Sequence, residues 1–481
     1  TSPAQAILDL DRIEAVVAGA PLEALLQPAE GKTVPPGLRL YRRGEPVILS
    51  DVLPILENLG LRIVAEEPYR IDTTAGDAVW VHEFTLAGSD GLGNLTATAC
   101  RRFEAALVAA WTGEVESDGF NRLVLAAGLS ARQTVILRLY AKFLRQAGSN
   151  FSQAYMEETL ARHPPIAARL VSLFERRFDP ARGDGQRLDV IAEVQAIDHA
   201  LDAVESLDED RILRSFLLLV LKSLRTNYFQ TLPSGASKPY LSVKFDSAAI
   251  DLLPPPHPLY EIFVYSPRVE AVHMRAGRVA RGGIRWSDRR EDFRTEILGL
   301  MKAQTVKNAV IVPVGSKGGF VVKRPPAGRE QFQAEGVECY RMLMRGLLDL
   351  TDNIAGPANG AAHKIEPPPQ VVRHDGDDPY LVVAADKGTA TFSDIANGIA
   401  EEYGFWLGDA FASGGSKGYD HKAMGITSRG AWELVKRHFR ELGRDIQNED
   451  FTVVGVGDMA GDVFGNGMLQ SRYIRLLGAF N

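Results

Sequence analysis

Residues 281–323 constrain the fold most, because they alternate the hydrophobic periods of strands and helices. They read RGGIRW, then the helical pattern SDRREDFRTEILGLMKAQTVKNAV, then the apolar strand VIVPV and the loop GSKGGF. Strands that alternate with helices predict an α/β domain. Both Gly-Gly pairs stand beside cations, namely Arg281, Arg285 and Lys317. Since glycine lets backbone approach a ligand closely, we interpret this pattern as an anion-binding site.

Such an anion site must be a local concentration of cations. The 481-residue chain carries a net charge of −7, which gives a nucleic-acid partner no global electrostatic support. Apolar runs such as residues 216–221 are far too short to span a bilayer, so no membrane partner is predicted. Only Cys100 and Cys339 are present, which fits a reducing, cytoplasmic compartment. Neither a Walker motif nor a metal-binding carboxylate cluster is evident, so we predict no metal site.

The pattern changes along the chain predict several domains in an α/β multidomain fold. Residues 38–86 read as strand, helix, strand, strand, with Ser50 and Asp51 opening the helix and Gly60 ending it. This β-α-β-β order resembles an ACT-type regulatory module, and a scaffold-only α+β domain is the alternative. The predicted divisions are an N-terminal segment (1–35), an ACT-like α+β module (36–100), a helical region (101–230), a substrate domain (231–424) and a nucleotide-binding unit (425–481).

The helix after RGGIRW carries polar side chains where apolar ones are expected. Ser287 is its predicted N-cap. At 100° per residue, Gln304 and Lys307 fall on the face defined by Leu300 and Met301. Either these two side chains pair inside the core, or this face borders a polar cleft. A lysine that only extends its amine to solvent is the simpler alternative.

Two further candidates follow apolar strands. Lys317 is predicted on a glycine-rich loop at the carboxyl end of VIVPV, where open α/β sheets bind ligands. Asp386 ends the strand YLVVAAD in the same manner. A plain turn at Lys317 and a turn aspartate at Asp386 are the alternatives.

The segment FTVVGVGDMAGDVFGNG has a dinucleotide-binding pattern in its expected context. A strand precedes Gly455, Gly457 and Gly461, and a helix is predicted to follow them. The glycines permit a tight turn and close approach of a pyrophosphate to a helix N-terminus. Ala460 holds the place of the third glycine in the more general pattern, and Gly461 follows it.

Taken in order, RGGIR, Gln304-x-x-Lys307, GSKGG, DKGT and Gly-x-Gly-x-x-x-Gly resemble the glutamate dehydrogenase family. The wording of residues 281–323 is similar to the large NAD-specific members, which carry ACT-like domains and helices in a long N-terminal region. The resemblance implies a glutamate-dehydrogenase-like substrate domain followed by the start of a Rossmann-type NAD domain. It departs from the small enzymes at Arg281, where they have lysine, and in a loop one residue shorter.

The resemblance implies oxidative deamination of L-glutamate to 2-oxoglutarate and ammonia, with NAD⁺ as hydride acceptor. Arg281, beside Gly282 and Gly283, would hold the side-chain carboxylate, a task that suits a guanidinium. Lys307 and Gln304 would hold the α-carboxylate. Lys317 would be the catalytic amine, and Asp386 would move protons to and from the substrate nitrogen. The implied NAD contacts are Thr427, Gly455, Gly457, Asp458, Met459 and Gly461.

Two other functions remain open at this point. One is a regulatory protein in which the ACT-like module senses a metabolite and the α/β part is inert. The other is a nucleotide-dependent transferase. We expect a homo-oligomer. We also expect an incomplete enzyme, since the chain begins at Thr1 and the nucleotide unit reaches only a second strand, YIRLLGAF, before Asn481. That position is where the ribose-binding acid is expected.

Overall fold

The computed structural model describes residues 3–28, 36–73, 76–87, 95–182, 187–308, 314–355, 364–384, 390–416, 421–457 and 461–480. The chain forms two compact units. Unit 1 comprises Thr1–Val383 and Ile399–Gly408, and unit 2 comprises Ala384–Gly398 and Asp409–Asn481. No helix among the described residues is long and apolar enough to cross a membrane.

Unit 1 begins with a four-stranded antiparallel sheet covered by helices on both faces. Its elements are α1 (Pro3–Val17), β1 (Glu23–Gln27), β2 (Gly37–Arg43), α2 (Leu49–Asn58), β3 (Ile63–Asp72), β4 (Ala78–Leu86) and α3 (Ala97–Trp111). The strand order is β1-β2-β4-β3. Because side chains alternate along a strand, Tyr41 and Val81 pack with Val16 of α1, whereas Leu40 and Phe84 share a core with α2 and α3. The predicted β-α-β-β order is confirmed in β2, α2, β3 and β4, and β1 precedes it.

Six helices follow, and their apolar faces join the core of the next sheet. They are α4 (Leu123–Ala126), α5 (Ala131–Gln146), α6 (Gln153–Arg162), α7 (Pro164–Phe178), α8 (Arg187–Leu201) and α9 (Leu207–Lys222). Ser130 caps α5 in a capping box with Gln133, which satisfies two backbone donors of the first turn. Phe143 of α5 stacks on Phe245 of the sheet, with ring centroids 4.4 Å apart.

A seven-stranded mixed sheet is the centre of unit 1. It comprises β5 (Ser223–Thr226), β6 (Leu241–Asp246), β7 (Tyr260–Tyr265), β8 (Val269–Arg275), β9 (Ala280–Arg281), β10 (Ile284–Trp286) and β11 (Val314–Val322). The order is β10-β11-β8-β7-β6-β5, and β9 also pairs with β11. Neighbouring strands from β5 to β8 run antiparallel, and so does β11 to β8, whereas β9 and β10 run parallel to β11. The helices α10 (Phe293–Asn308) and α11 (Arg329–Leu348) pack against this sheet.

Two predicted helix boundaries are wrong. The apolar pattern EDRILRSFLLLVLKSLRTNYF (209–229) predicts a single buried helix, but α9 ends at Lys222. It ends there because the Ser223 hydroxyl donates to the Leu219 carbonyl and the Ser223 backbone pairs with Phe245 as part of β5. Ser287 does not cap α10, which begins at Phe293. Its hydroxyl instead donates to Glu296 and accepts from the Arg289 amide in a tight turn.

The remaining elements lie toward the end of the chain. They are β12 (Asn353–Ala355), β13 (Lys364–Glu366), β14 (Val383–Ala384), α12 (Ala390–Glu402), β15 (Ala412–Ser413), α13 (His421–Met424), α14 (Ile426–Glu441), β16 (Phe451–Val456) and β17 (Ile474–Phe480). In unit 2, β16 and β17 form a parallel pair. Short helical turns at Asp462–Asn466 and Gly467–Leu469 stand between them.

Candidate active site

One face of β11 carries the predicted catalytic lysine. Side chains alternate along a strand, so positions 315, 317 and 319 point to the same side. Helix α10 covers that side: Ile297 lies against Gly319, and the backbone of Gln304 lies against Gly315. Lys317 therefore sits between these two contacts, on the face of the sheet that α10 covers.

Arg281 reaches the same face through the strand register. In the parallel pairing of β9 with β11, Arg281 is opposite Gly315, and residues opposite each other share a side of the sheet. Gly283 continues the register opposite Lys317, and its carbonyl accepts from the Gly318 amide at 3.0 Å. The sheet thus brings Arg281 and Lys317 to the face where Gln304 approaches. Arg281 and Gln304 are half-buried there.

Lys317 is not on a loop, so that prediction is wrong. It lies within β11, opposite Met274 of β8, and is 4% exposed. Residues 316–322 pair one by one with β8, and this non-local ladder outweighs the turn preference of the glycines. Residues 310–313 of the predicted preceding strand VIVPV lie outside the described part of the chain, as does Asp386. Lys307 belongs to α10, but its side chain is likewise outside the description.

The glycines of this site make room for protein rather than for a ligand. A Cβ on Gly315 would lie 2.4 Å from the Thr305 amide nitrogen, and one on Gly319 would lie 2.3 Å from Ile297 Cδ1. A Cβ on Gly282 would lie 1.5 Å from the Ser316 carbonyl oxygen. Side chains here would therefore push α10 and β9 away from β11. The glycines act indirectly, by allowing the helix and strands that carry the polar groups to pack closely.

Arg285, the third cation of the predicted anion site, has a different partner. Its Nε lies 2.6 Å from Glu296 Oε1 on α10. The same carboxylate accepts the Ser287 hydroxyl at 2.6 Å. Arg285 therefore fastens the start of α10 to β10.

A fully buried ion pair on the same face has no counterpart in the predictions. Glu261 of β7 accepts from Arg294 of α10 through both oxygens, each at 2.7 Å, and neither side chain is exposed. The register aligns Glu261, Met274 and Lys317 in one row across three strands. Arg294 is four residues before the buried Leu298, so both lie on the same face of α10. This spacing is the sequence signal that could have predicted a buried arginine.

The opposite face of the sheet holds His273, which faces Gly318 across the ladder. Its side chain is buried, and neither ring nitrogen has a hydrogen-bond partner among the described residues. Burial, reinforced by the Arg275 guanidinium, lowers the pKa of His273 to about 3. Arg275 itself is paired with the buried carboxylate of Asp378, which also accepts from Lys244 at 2.7 Å.

The glycine pattern of unit 2 begins inside the strand β16, at Gly455, rather than after it as predicted, and continues beyond the end of β16. Gly457 has φ of 130° just after β16, and a Cβ there would meet nothing within 4 Å. Its amide donates to the Phe480 carbonyl of β17 at 2.8 Å. A Cβ on Gly455 would lie 1.5 Å from the Phe464 ring. The packing of this ring therefore requires glycine at position 455. Open backbone in the left-handed region after a parallel strand fits a nucleotide diphosphate.

Other predicted cofactor residues are less informative. The predicted helix after the glycines is only the short turn Asp462–Asn466, because GDVFGNG places three glycines where a helix would need side chains. Gly461 immediately precedes this turn. Thr427 is exposed in the first turn of α14. Asp458 and Met459 lie outside the described residues.

Comparison with known proteins matches most of this chain to one family. Residues 196–481 match the family described as bacterial NAD-glutamate dehydrogenase, catalytic domain. Residues 115–180 match glutamate dehydrogenase helical motif 3, and residues 24–99 match the glutamate dehydrogenase ACT3 domain. The chain belongs to the bacterial NAD-glutamate dehydrogenase family. The predicted fold class is thereby confirmed: an ACT module, a helical segment and a glutamate-dehydrogenase-type catalytic domain.

The family assignment is supported by relatives of high identity. The NAD-specific glutamate dehydrogenase of Mycobacterium tuberculosis is 57% identical over 459 residues, covering 92% of this chain and 28% of that protein. Those of Halomonas elongata and Pseudomonas aeruginosa are 54% and 53% identical, covering 99% and 100% of this chain and 29% and 30% of theirs. The chain thus spans less than a third of the length of these relatives. We propose that its ACT module begins near β1, before the predicted boundary at residue 36.

Proposed function

We propose that the protein carrying this chain oxidises L-glutamate to 2-oxoglutarate and ammonia with NAD⁺ as hydride acceptor. The observation that carries the proposal is the common face of Arg281, Gln304 and Lys317, in a chain of the bacterial NAD-glutamate dehydrogenase family. Glutamate presents two carboxylates and an ammonium group. Two cations and an amide on one face match that charge pattern.

Substrate binding is assigned to the two edges of this face. Arg281 binds the side-chain carboxylate, since its planar guanidinium can donate two parallel hydrogen bonds. Gln304 and Lys307, on the last turns of α10, bind the α-carboxylate. Arg281 pairs with Gly315 of β11, and the backbone of Gln304 packs against the same glycine. The distance between Arg281 and Gln304 is therefore set by backbone packing rather than by flexible loops.

Proton transfer is assigned to Lys317 and Asp386. The amine of Lys317 activates the water that attacks the imine formed from the substrate. Asp386 moves a proton to and from the substrate nitrogen. Burial of Lys317 beneath α10 keeps bulk water away from this amine, so the attacking water is a positioned one.

NAD binding is assigned to the glycines at the end of β16 and after it, together with residues near them. Gly455, Gly457 and Gly461 supply the close backbone, with Asp458, Met459 and Thr427 as further contacts. The dinucleotide, when bound, accepts the hydride that leaves the substrate α-carbon. The protein's task there is to hold the dinucleotide without side-chain obstruction at Gly457.

Lys317→Arg tests the role of the amine. Arginine keeps the positive charge but does not deprotonate at working pH, so turnover should fall by several orders of magnitude. NADH formation from glutamate, followed by absorbance, is the measurement, made on the full-length polypeptide that carries this chain. Lys302→Arg, at an exposed position of α10, is the control and should retain activity. Substantial turnover by Lys317→Arg would contradict the assignment.

Arg281→Ala tests the substrate. It should raise KM for glutamate much more than for norvaline, which lacks the side-chain carboxylate. Loss of a charge-assisted pair costs roughly 2–5 kcal/mol when the partner charge is left buried. Equal losses for both amino acids would assign Arg281 a purely structural role.

We further propose that the protein acts in the cytoplasm as a homo-oligomer. Both cysteines are free and buried, which suits a reducing compartment. Light scattering of the purified full-length polypeptide tests the assembly, and a monomer at all concentrations would contradict it.

A further inference from the structure

A cavity in unit 1 lies apart from the proposed active site. It has a volume of about 820 Å³ and opens between α3, the start of α5 and the loops beside β6 and β7. Its walls are largely apolar, with Ala105 and Ala109 from α3, Val135 from α5, and Leu241 from β6. None of Arg281, Gln304 and Lys317 lines it. Cavities of this size accommodate small organic ligands.

Among the described residues, three arginines that line this cavity have no carboxylate within ion-pair distance. Arg101 donates to the Thr98 hydroxyl at 3.4 Å, Arg102 donates to the Gly128 carbonyl at 2.7 Å, and Arg132 donates to the Tyr228 carbonyl. Each of these acceptors is neutral. Within the described part of the chain, none of the three forms an ion pair with an acid. The lining contains one acid, Glu114, so the cavity is cationic.

Arg132 is the most confined of the three. Its guanidinium stacks over the Tyr228 ring, 4.6 Å from the centroid, and its side chain is half-buried. Burial lowers the pKa of Arg132. A desolvated cation without a carboxylate is costly, and an anion from solution would compensate it.

Lys238, the fourth cation of the lining, is already neutralised. Its ammonium donates to Gln230 Oε1 and to the buried carboxylate of Asp349 at 2.5 Å. The charge without an ion pair is therefore that of the three arginines. A ligand that fits needs an anionic group at the arginines and an apolar body against the rest of the lining.

We propose that this cavity binds a small organic anion, with a carboxylate or phosphate at the arginines and an apolar or aromatic body against the alanines, Val135 and Leu241. An inorganic anion would leave the apolar volume unfilled. A neutral apolar molecule would leave the arginines uncompensated. The bound molecule would touch the central sheet and α3, which packs against the first sheet, at once and independently of the proposed glutamate chemistry.

A matched pair of fluorescent probes tests the proposal on the full-length polypeptide that carries this chain. 8-Anilino-1-naphthalenesulfonate has an aromatic body and one anionic group, and N-phenyl-1-naphthylamine is its neutral counterpart. Arg132→Gln should weaken the sulfonate about tenfold, or about 1.4 kcal/mol, and change the neutral probe less than twofold. Arg102→Gln, at an exposed position, should act in the same direction. Arg437→Gln, on α14 in unit 2, is the control and should change neither.

A blocking variant separates this cavity from other apolar surfaces. Ala105→Trp, at an exposed position on α3, should abolish the binding that depends on Arg132. Competition by adenosine monophosphate or by glutarate then shows whether the arginines take phosphate or carboxylate, and displacement by either supports the site. Sulfonate binding that is unchanged by Arg132→Gln and by Ala105→Trp would overturn the proposal. So would no sulfonate binding at all by the folded protein, because the cavity would then be closed or filled by protein.

Discussion

Replacing Glu261 by glutamine should destabilise unit 1 far more than its conservative size suggests. Arg294 donates to both Glu261 oxygens at 2.7 Å, and neither side chain is exposed to solvent. Glutamine keeps the shape but removes the charge, which leaves the Arg294 guanidinium buried without a carboxylate. The cost of breaking a buried pair in this way is about 3–5 kcal/mol.

Removing both partners should cost much less than removing one. The pair has apolar neighbours, with the Phe143 ring centroid 5.5 Å from the guanidinium and Ile297 one turn along α10, and the Ser247 hydroxyl donates to Glu261 Oε2 at 3.4 Å. Glu261→Leu combined with Arg294→Met fills this space with apolar atoms and leaves no buried charge. Replacements of this kind are neutral or stabilising by about 1–4 kcal/mol in other proteins. The Gln146 contact survives, because it is made to the Arg294 backbone amide.

Urea unfolding followed by tryptophan fluorescence measures both variants, with hydrogen exchange of the α10 amides as a local readout. The single variant should unfold at clearly lower urea, and the double variant should return to within about 1 kcal/mol of the parent. A single variant that loses less than about 1 kcal/mol would refute the reasoning. A double variant as unstable as the single one would also refute it, since packing rather than charge would then dominate.

Two further predictions concern the neighbours of Lys317. Gly315→Ala should lower stability by about 1–3 kcal/mol and reduce the proposed glutamate turnover, because its Cβ would lie 2.4 Å from the Thr305 amide nitrogen of α10. The control is Gly299→Ala, at a position of α10 that faces open space, which should instead stabilise the protein by up to about 1 kcal/mol. His273 has a pKa of about 3 in the folded protein against an ordinary 6.5. As pH falls below 6.5, the imidazole of His273 therefore gains a proton in the unfolded chain but not in the folded protein, and the free energy of unfolding declines until about pH 3. His273→Met should therefore lose about 2 kcal/mol less than the parent between pH 7 and pH 5 in urea titrations; an unchanged slope would show that His273 is not buried neutral.

Much of the fold follows from local sequence patterns. The strand-helix-strand-strand order predicted for residues 38–86 located β2, α2, β3 and β4, and the helical pattern after RGGIRW located α10. These predictions succeed because a half-buried strand or helix records its own buried face in its sequence. The motif order was sufficient for the family, which the matched residues 196–481 confirm.

The errors at Lys317 and Ser223 share a physical cause, namely pairing between residues distant in sequence. The glycines around Lys317 favour a turn locally, yet β8, some forty residues earlier, supplies a complete ladder for them. Ser223 leaves the helical pattern because Phe245 pairs with its backbone. The Glu261 and Arg294 pair depends on β7 and α10 meeting across the sheet, which no local period encodes. The substrate-binding, catalytic and cofactor-binding roles of all the predicted site residues remain predictions.

The spacing of Arg-Gly-Gly acquires a meaning from the register that the motif alone does not have. Arg281 is opposite Gly315 and Ile284 is opposite Gly318, so three residues on one strand match three on the other without a bulge. Because side chains alternate with a period of two, one extra residue between Arg281 and Ile284 would turn Arg281 to the opposite face from Lys317. Gly282 must be glycine to pass the Ser316 carbonyl. The motif therefore specifies a shared face for two cations through strand pairing, which is why neither its glycines nor its arginine can be interpreted separately.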